Sequence, residues 1–453
     1  MRKSKVAVPA LLLGLLFLPS CGNQEDALAS AVEVIPVDLG DWQGSDFYGA
    51  AEDSSASESV GENSPASGSM EENTEEPAGA DSEEEYFPEK VGYEEGDSAG
   101  QGQTTEGRDG ILTEQEDSSA EELPVTEESV PGREGEVRIT VSAAGDVTLG
   151  NYAGQGYEVS FRQTYDQGVG DDYFFENVTD IFDADDLTLV NLEGPLTRSE
   201  DPREGQTYCI SGDPEYVNIL TAGSVEAVSM GNNHRLDYKE QGTADTVAAL
   251  EAAGIPYAYD DNYCLYETKG IRIGIVSVNE VGQGAGVEKF LREGIEKLRE
   301  EGADLVLACC HWGIEREYYP EDYQKSLGKK CIDWGYDLVI GHHPHVLQGI
   351  EEYQGRFIVY SLGNFCFGAN RNPPDKDCMI FQQTFTFVDG EKKEDREIRV
   401  IPCLVSSVSG RNDYKPTPAE GSEADRILDK INEYSRDMGV VLDMDGCLEE
   451  ETP

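Results

Sequence analysis

"YDLVIGHHPH", residues 336–345, reads as a buried strand that runs directly into three histidines. Leu338, Val339 and Ile340 form a short apolar run bounded by glycines, the pattern of a strand covered on both faces. His342, His343 and His345 follow, and Pro344 fixes the turn between the last two. The chain has only five histidines in 453 residues; His234 lies in "GNNHRLD" and His311 in "CCHWGIE". All five therefore fall in three short stretches. A metal site explains that distribution and chance is the alternative, so the placement of the remaining polar residues has to decide.

Working outward, strand and helix patterns alternate from residue 137. "EVRITVSAAGD" alternates apolar and polar residues and ends in a glycine turn. "YFFENVTDIFDAD" has helical spacing, "DLTLVNLEG" reads as a strand, and "DPEYVNILTAG" as a helix with an Asp cap and a terminal Gly. "VEAVSMGNNH", "IRIGIVSVN" and "ADLVLACCHWG" are further strands; "QGTADTVAALEAAG", "VEKFLREGIEKLREEG" and "DYQKSLGKKCIDWG" are the helices between them. "RFIVYSLGNFCF", "CMIFQQTFTFV" and "IRVIPCLVSS" close the series with strands. This alternation specifies an α/β fold with antiparallel strands near its end. Residues 411–453 read as an acidic tail with one amphipathic helix.

The polar residues have a common address. Asp146 follows the first strand, Asn191 and Glu193 end the second, and Asn232, Asn233 and His234 end the third. His311 ends the fifth strand and the histidine cluster ends the sixth. Carboxyl ends of strands are where sites form in α/β sheets. Imidazole nitrogen with carboxylate and amide oxygen suits a hard or borderline divalent ion. Two such ions need a bridging carboxylate, for which Glu193 and Asp146 are the candidates, and a histidine off the metals can protonate a leaving group.

The segments "AAGDVTLG", "VNLEGPLT", "MGNNHRLDY", "CHWGIE", "GHHPHVLQGIE" and "VYSLGNFCF" resemble, in this order, those of the CapA family of bacterial capsule-synthesis, poly-γ-glutamate-associated proteins. The likeness covers roughly residues 138–408. It implies a calcineurin-like metallophosphoesterase fold, a sandwich of two β-sheets flanked by helices, over residues 137–410. It implies two divalent ions, with Mn, Fe and Zn not distinguished. By the same resemblance Asp146 is a ligand of the first metal, Glu193 the bridging carboxylate, and Asn233 a ligand of the second metal. His234 is then the general acid or a transition-state stabiliser, and His311 with one member of the last cluster completes the second site. His343 and His345 fit the HxH spacing; His342 fits if the register of "GH" is kept. Asn191, Asn232, Glu315 and Asn364, inside the same segments, are candidate substrate contacts. The chain departs from the superfamily pattern twice: Thr148 stands where GDxH has its histidine, and Glu193 replaces the usual aspartate.

The N-terminus has a different character. Arg2, Lys3 and Lys5 precede the apolar run "VAVPALLLGLLFL" and then "LPSC", which reads as a signal peptide over 1–20 with a lipobox-like end. Cys21 is then the lipidated first residue of the mature chain; an ordinary cleaved signal is the alternative. Residues 21–136 carry 33 acidic and three basic residues and few apolar ones. Such a stretch cannot bury enough surface to offset its ordering entropy, so it reads as a disordered acidic tether with a reach of roughly 60 Å. An acidic binding arm is the competing reading. Residues 137–453 hold 58 acidic and 28 basic residues, which excludes a nucleic-acid partner. The ten cysteines include no CxxC, and Cys309 and Cys310 point to opposite faces of a strand, so buried free thiols are expected.

The expected protein is a lipid-anchored surface protein on the extracellular face of the cell membrane. Its expected role is metal-dependent hydrolysis or transfer on poly-γ-glutamate or another anionic envelope polymer. A non-catalytic capsule export scaffold and a phosphoesterase for small phosphate esters are the two alternatives.

Overall fold

The computed structural model of the chain describes residues 135–449. The expected signal peptide, Cys21 and nearly all of the acidic tether lie outside the described residues. In chain order the first strands are β1 (Glu136–Thr148), β2 (Asn151–Tyr152), β3 (Leu187–Leu192), β4 (Ile210–Ser211), β5 (Ala227–Ser229) and β6 (Tyr257–Ala258). Then come β7 (Cys264–Thr268), β8 (Ile271–Asn279), β9 (Leu305–His311), β10 (Leu338–His342), β11 (Ile350–Tyr353) and β12 (Arg356–Val359). The last are β13 (Asn364–Phe367), β14 (Asp377–Val388), β15 (Glu391–Lys392), β16 (Ile398–Leu404) and β17 (Thr417–Pro418).

Two sheets carry the fold. One has the order β17-β16-β14-β1-β3-β5-β6, with β13 beside the end of β1 and β15 beside β14. The other has the order β11-β12-β10-β9-β8-β7, parallel in its centre and antiparallel at both edges. The period-2 pattern decides which side chain faces where. On β9, Leu305, Leu307 and Cys309 point between the sheets, while Val306, Ala308 and Cys310 point outward. On β1, Ile139, Val141 and Ala143 join the same inter-sheet core. Helices cover the outer faces: Leu291, Ile295 and Leu298 of Glu288–Glu300, with Leu327, Cys331 and Ile332 of Asp322–Trp334, lie over the second sheet. The result is the sandwich of two β-sheets flanked by helices, an α/β fold. All nine cysteines among the described residues are free, and eight of them are buried.

Three local differences have physical reasons. "YFFENVTDIFDAD" buries Phe174, Phe175, Val178 and Phe182 as its spacing requires. It does so from a 3-10 turn at Asp171–Phe174 and one helical turn at Thr179–Phe182, because the Asn177–Thr179 stretch is a poor helix former. "RFIVYSLGNFCF" is two strands in different sheets; Gly363, at φ 76°, turns the chain from one sheet to the other between β12 and β13. Finally, residues 411–449 are not an appended tail. Ile427, Leu428 and Ile431 of the helix Ser422–Tyr434 belong to the inter-sheet core, as do Val440 and Leu442.

That helix is held by charge as well as by burial. Arg426 donates to both carboxylate oxygens of Asp377, at 2.6 and 2.8 Å, and Lys430 Nζ lies 2.8 Å from the same side chain. Burial alone would raise the Asp377 pKa, but Arg426 and Lys430 outweigh it and hold the carboxyl below its usual range. A carboxylate depressed in this way contributes stability that is present above the unfolded-state pKa and is lost as pH falls through the folded value. Asp377→Asn is therefore expected to cost about 2 kcal/mol at pH 7. In urea melts of both proteins the difference should shrink below the ordinary aspartate range. A difference that persists undiminished at acid pH would show that the pair is not its source.

Candidate metal centre

The site forms where the carboxyl ends of both sheets meet. Close backbone approach makes this possible: a Cβ on Gly145 would lie 2.0 Å from the Gly363 carbonyl oxygen, and one on Gly341 the same distance from that of Tyr360. Asp146 and His342, the next residues in each case, are thereby brought to the seam. Gly341→Ala forces a backbone shift and should cost about 2–3 kcal/mol, read as a fall in Tm. An unchanged Tm would mean that the approach is not tight.

Asp146 is fully buried. Its Oδ1 accepts from Asn191 Nδ2 at 2.8 Å and lies 3.3 Å from His342 Nδ1; its Oδ2 lies 3.1 Å from His345 Nδ1. The 3.3 Å approach of His342 lacks hydrogen-bond geometry, and its Nδ1 is buried without a partner. Burial works against the Asp146 charge, but His342 and His345 more than offset it and hold the carboxyl well below the usual range. His345 moves the other way: burial opposes its charge, and Glu193 and Asp146 outweigh burial and raise it.

Glu193 is the focal residue. It is 1% exposed, and neither carboxylate oxygen has a hydrogen-bond partner. Burial pushes its pKa up to about 7. Three imidazole nitrogens surround Oε1 just beyond hydrogen-bond range: His311 Nε2 at 3.7 Å, His345 Nε2 at 3.8 Å and His234 Nε2 at 3.9 Å. Ligand atoms each about 2.1 Å from one ion stand roughly 3–4 Å apart, so these separations fit cations between the groups. A buried carboxylate without any partner is otherwise costly. Asp146, Glu193 and His345 offer ligand atoms within 4.8 Å of one another, and so do Glu315, His343 and His345.

The other histidines are prepared for the same task. Burial lowers His311 well below its ordinary value and His343 to about 3, so both rings are neutral and keep a free lone pair. Their centroids are 4.8 Å apart. His311 Nε2 lies 2.9 Å from Asn233 Oδ1, which puts the Asn233 amide at the site. His343 and His345 sit at φ 97° and 57°, a backbone that costs about 1–3 kcal/mol per residue and persists where the surroundings enforce it. His345 is enforced by Asp146 and by Asn364 Oδ1, 2.9 Å from its Nδ1.

His234 is placed differently. Its Nδ1 lies 2.6 Å from Asp237 Oδ2, and Asp237 is fully buried. Burial opposes the His234 charge, but Asp237 and Glu193 outweigh it and raise the pKa. Asp237 also accepts from the Ile210 N–H at 2.7 Å, so the pair is anchored to the backbone. Sequence reasoning did not single out Asp237. Its signal is an acid three residues after the histidine of "GNNH".

The expected substrate contacts divide. Asn191 and Asn232 lie beneath the site and are spent internally. Asn191 bonds Asp146, and its Oδ1 accepts from Asn232 Nδ2 at 3.1 Å; Asn232 also bonds the Leu192 carbonyl. They brace ligands, at exposures of 1% and 4%. Asn364 is 4% exposed and likewise orients His345. Only Glu315 is exposed, at the rim. Thr148 Oγ1 is buried without a partner and brings no imidazole to the centre. Among the described residues, Asp146, Glu193, Asn233, His234, His311, His343 and His345 converge on one locus.

The sequence profile of the bacterial capsule synthesis protein PGA_cap family matches residues 140–369, about half of the chain. The chain belongs to this family. The matched span of the PGA_cap member runs from β1 to just past β13 and includes every residue of the site. The chain is 30% identical over 250 residues to the PGA biosynthesis protein CapA of Bacillus subtilis, covering 51% of this chain and 63% of that protein. It is 30% identical over 264 residues to the capsule biosynthesis protein CapA of Bacillus anthracis, covering 52% and 62%. The match thus spans less than two thirds of each relative. Among solved structures, a hypothetical protein from Thermus thermophilus matches 58% of this chain and 98% of its own at 18% identity and a TM-score of 0.38. A 5'-nucleotidase from Candida albicans matches 67% and 59% at 10% identity and a TM-score of 0.34.

Proposed function

We propose that this PGA_cap protein is a metal-dependent hydrolase or transferase acting on poly-γ-glutamate or a related anionic envelope polymer. In this reading it is held by a lipidated Cys21 on the extracellular face of the membrane. The observation that carries the reading is Glu193: a buried carboxylate without a partner, ringed by three imidazole nitrogens. Asp146, Glu193 and His345 would hold one divalent ion, and Glu193, Asn233, His311 and His343 a second. Such ions supply an activated water and polarise the bond to be broken. The chain's own residues do the rest. Asp237 fixes the His234 ring and keeps it charged, so that Nε2 can give a proton to a leaving group. Asn191, Asn232 and Asn364 fix the ligands. No helix among the described residues is long and apolar enough to cross a membrane.

Purified full chain, stripped with a chelator and then reloaded with Mn²⁺, should regain cleavage or transfer of poly-γ-glutamate. Identical behaviour before and after stripping would end the metal-dependent reading. The buried Thr148 in place of a ligand histidine favours one competing reading, a non-catalytic export scaffold. In that case His234→Ala would leave capsule formation unchanged.

A further inference from the structure

Glu315 lies four residues beyond His311, on the loop that leaves β9. Two hydrogen bonds hold this loop against the one carrying His343 and His345. The chain turns at Gly313, at φ 90°, where a Cβ would meet the Gln324 side-chain amide at 2.8 Å. Gln324 is fully buried and donates to Gln348 Oε1 at 3.1 Å, and Gln348 Nε2 donates to the Glu317 carbonyl at 2.8 Å. Between these, the Arg316 N–H donates to the Pro344 carbonyl at 2.8 Å. Both bonds fall just beyond Glu315, at the next two residues, and tie its loop to the histidine loop. Its carboxylate reaches within 4.8 Å of ligand nitrogens on both His343 and His345.

A surface glutamate normally faces water. This one faces buried His343 and half-buried His345, and His343 has an Nδ1 with no hydrogen-bond partner. Asp146, Glu193 and Asn233 provide oxygen from beneath. The position of the missing GDxH histidine brings only a threonine. The centre is thus short of a donor, and a carboxylate on a braced loop stands on its open side.

We infer that Glu315 is itself a ligand of the metal centre, closing it from the solvent side with a carboxylate oxygen. This rests on the metal-dependent reading above. Glu315 then lowers the net positive charge of the centre by one unit, which disfavours a phosphate dianion and leaves a neutral amide carbonyl less affected. Specificity would in that way be set at the rim.

The test is metal binding itself, independent of turnover. Full-length wild type, Glu315→Gln and Glu315→Asp, each stripped of metal, are titrated with Mn²⁺ by calorimetry and by the loss of the free-ion EPR signal. Wild type should show two sites. Glu315→Gln should weaken one site about 10–100-fold, and Glu315→Asp should recover part of that loss. Wild-type affinities at both sites in Glu315→Gln would overturn the assignment and leave the metal centre standing. A wild type that takes up no Mn²⁺ would overturn the centre and the ligand together.

Discussion

Glu193→Gln is expected to abolish ion uptake at the shared position and, at the same time, to stabilise the metal-free protein. The two effects have one origin. Glu193 is the only carboxylate among the described residues with three imidazole nitrogens within 3.9 Å, so removing its charge should weaken metal binding ~100-fold or more. Without metal the same charge is a burden, because both oxygens are buried with no hydrogen-bond partner. Its pKa rises from 4.5 to about 7 through burial. A carboxyl raised by folding contributes stability that is fully present below the unfolded pKa and is lost as pH rises through the folded one. The gain from Glu193→Gln should therefore be near zero at pH 4 and approach about 3 kcal/mol well above pH 7. Urea melts in chelator at pH 5 and pH 8 measure it. A variant less stable than wild type at pH 8 would show that Glu193 has a partner in solution.

The second large effect concerns Asp237. Replacing it with Asn keeps the shape of the pair with His234 but removes the charge. Metal content should be unchanged, while kcat falls about 100-fold. Asp237 helps to raise His234, so the variant's imidazolium loses its proton at lower pH. The alkaline limb of the activity profile should then move to lower pH, and the ¹⁵N signals of His234 should titrate earlier. An unmoved titration would separate Asp237 from the chemistry and leave it a merely structural anchor for Ile210.

Much of this was legible because strand ends are punctuated in the sequence. Apolar runs stop at "GD", "NLEG", "GNNH", "CCH" and "GHHPH", and the structure gathers those stops at one seam. Which strand joins which sheet was not legible. β1 pairs with β14 through partners such as Glu136 and Val388, a separation no local pattern encodes. The edge strands β7 and β11 escaped notice because "CLYET" and "IEEY" mix charge into short apolar runs, as edges do. Asn191 and Asn232 show a different limit. An amide at a strand end is the same letter whether it faces a substrate or braces a ligand, and the hydrogen bonds it makes are not written in the sequence. The C-terminal helix was legible as amphipathic, but its apolar stripe does not name the surface it covers.

The seam has a mechanical corollary. Asp146, Glu193 and Asn233 lie at or beyond the ends of strands of one sheet, while His311, His343 and His345 lie at or beyond the ends of strands of the other. A cation gripped from both sides rivets the two layers at one end only. Loading should slow deuterium uptake at the amides of Gly341, His342, His343 and His345 and at Gly363, where the layers touch. The distant margin at β17 should exchange at its former pace, so the molecule would stiffen like a book clamped along its spine.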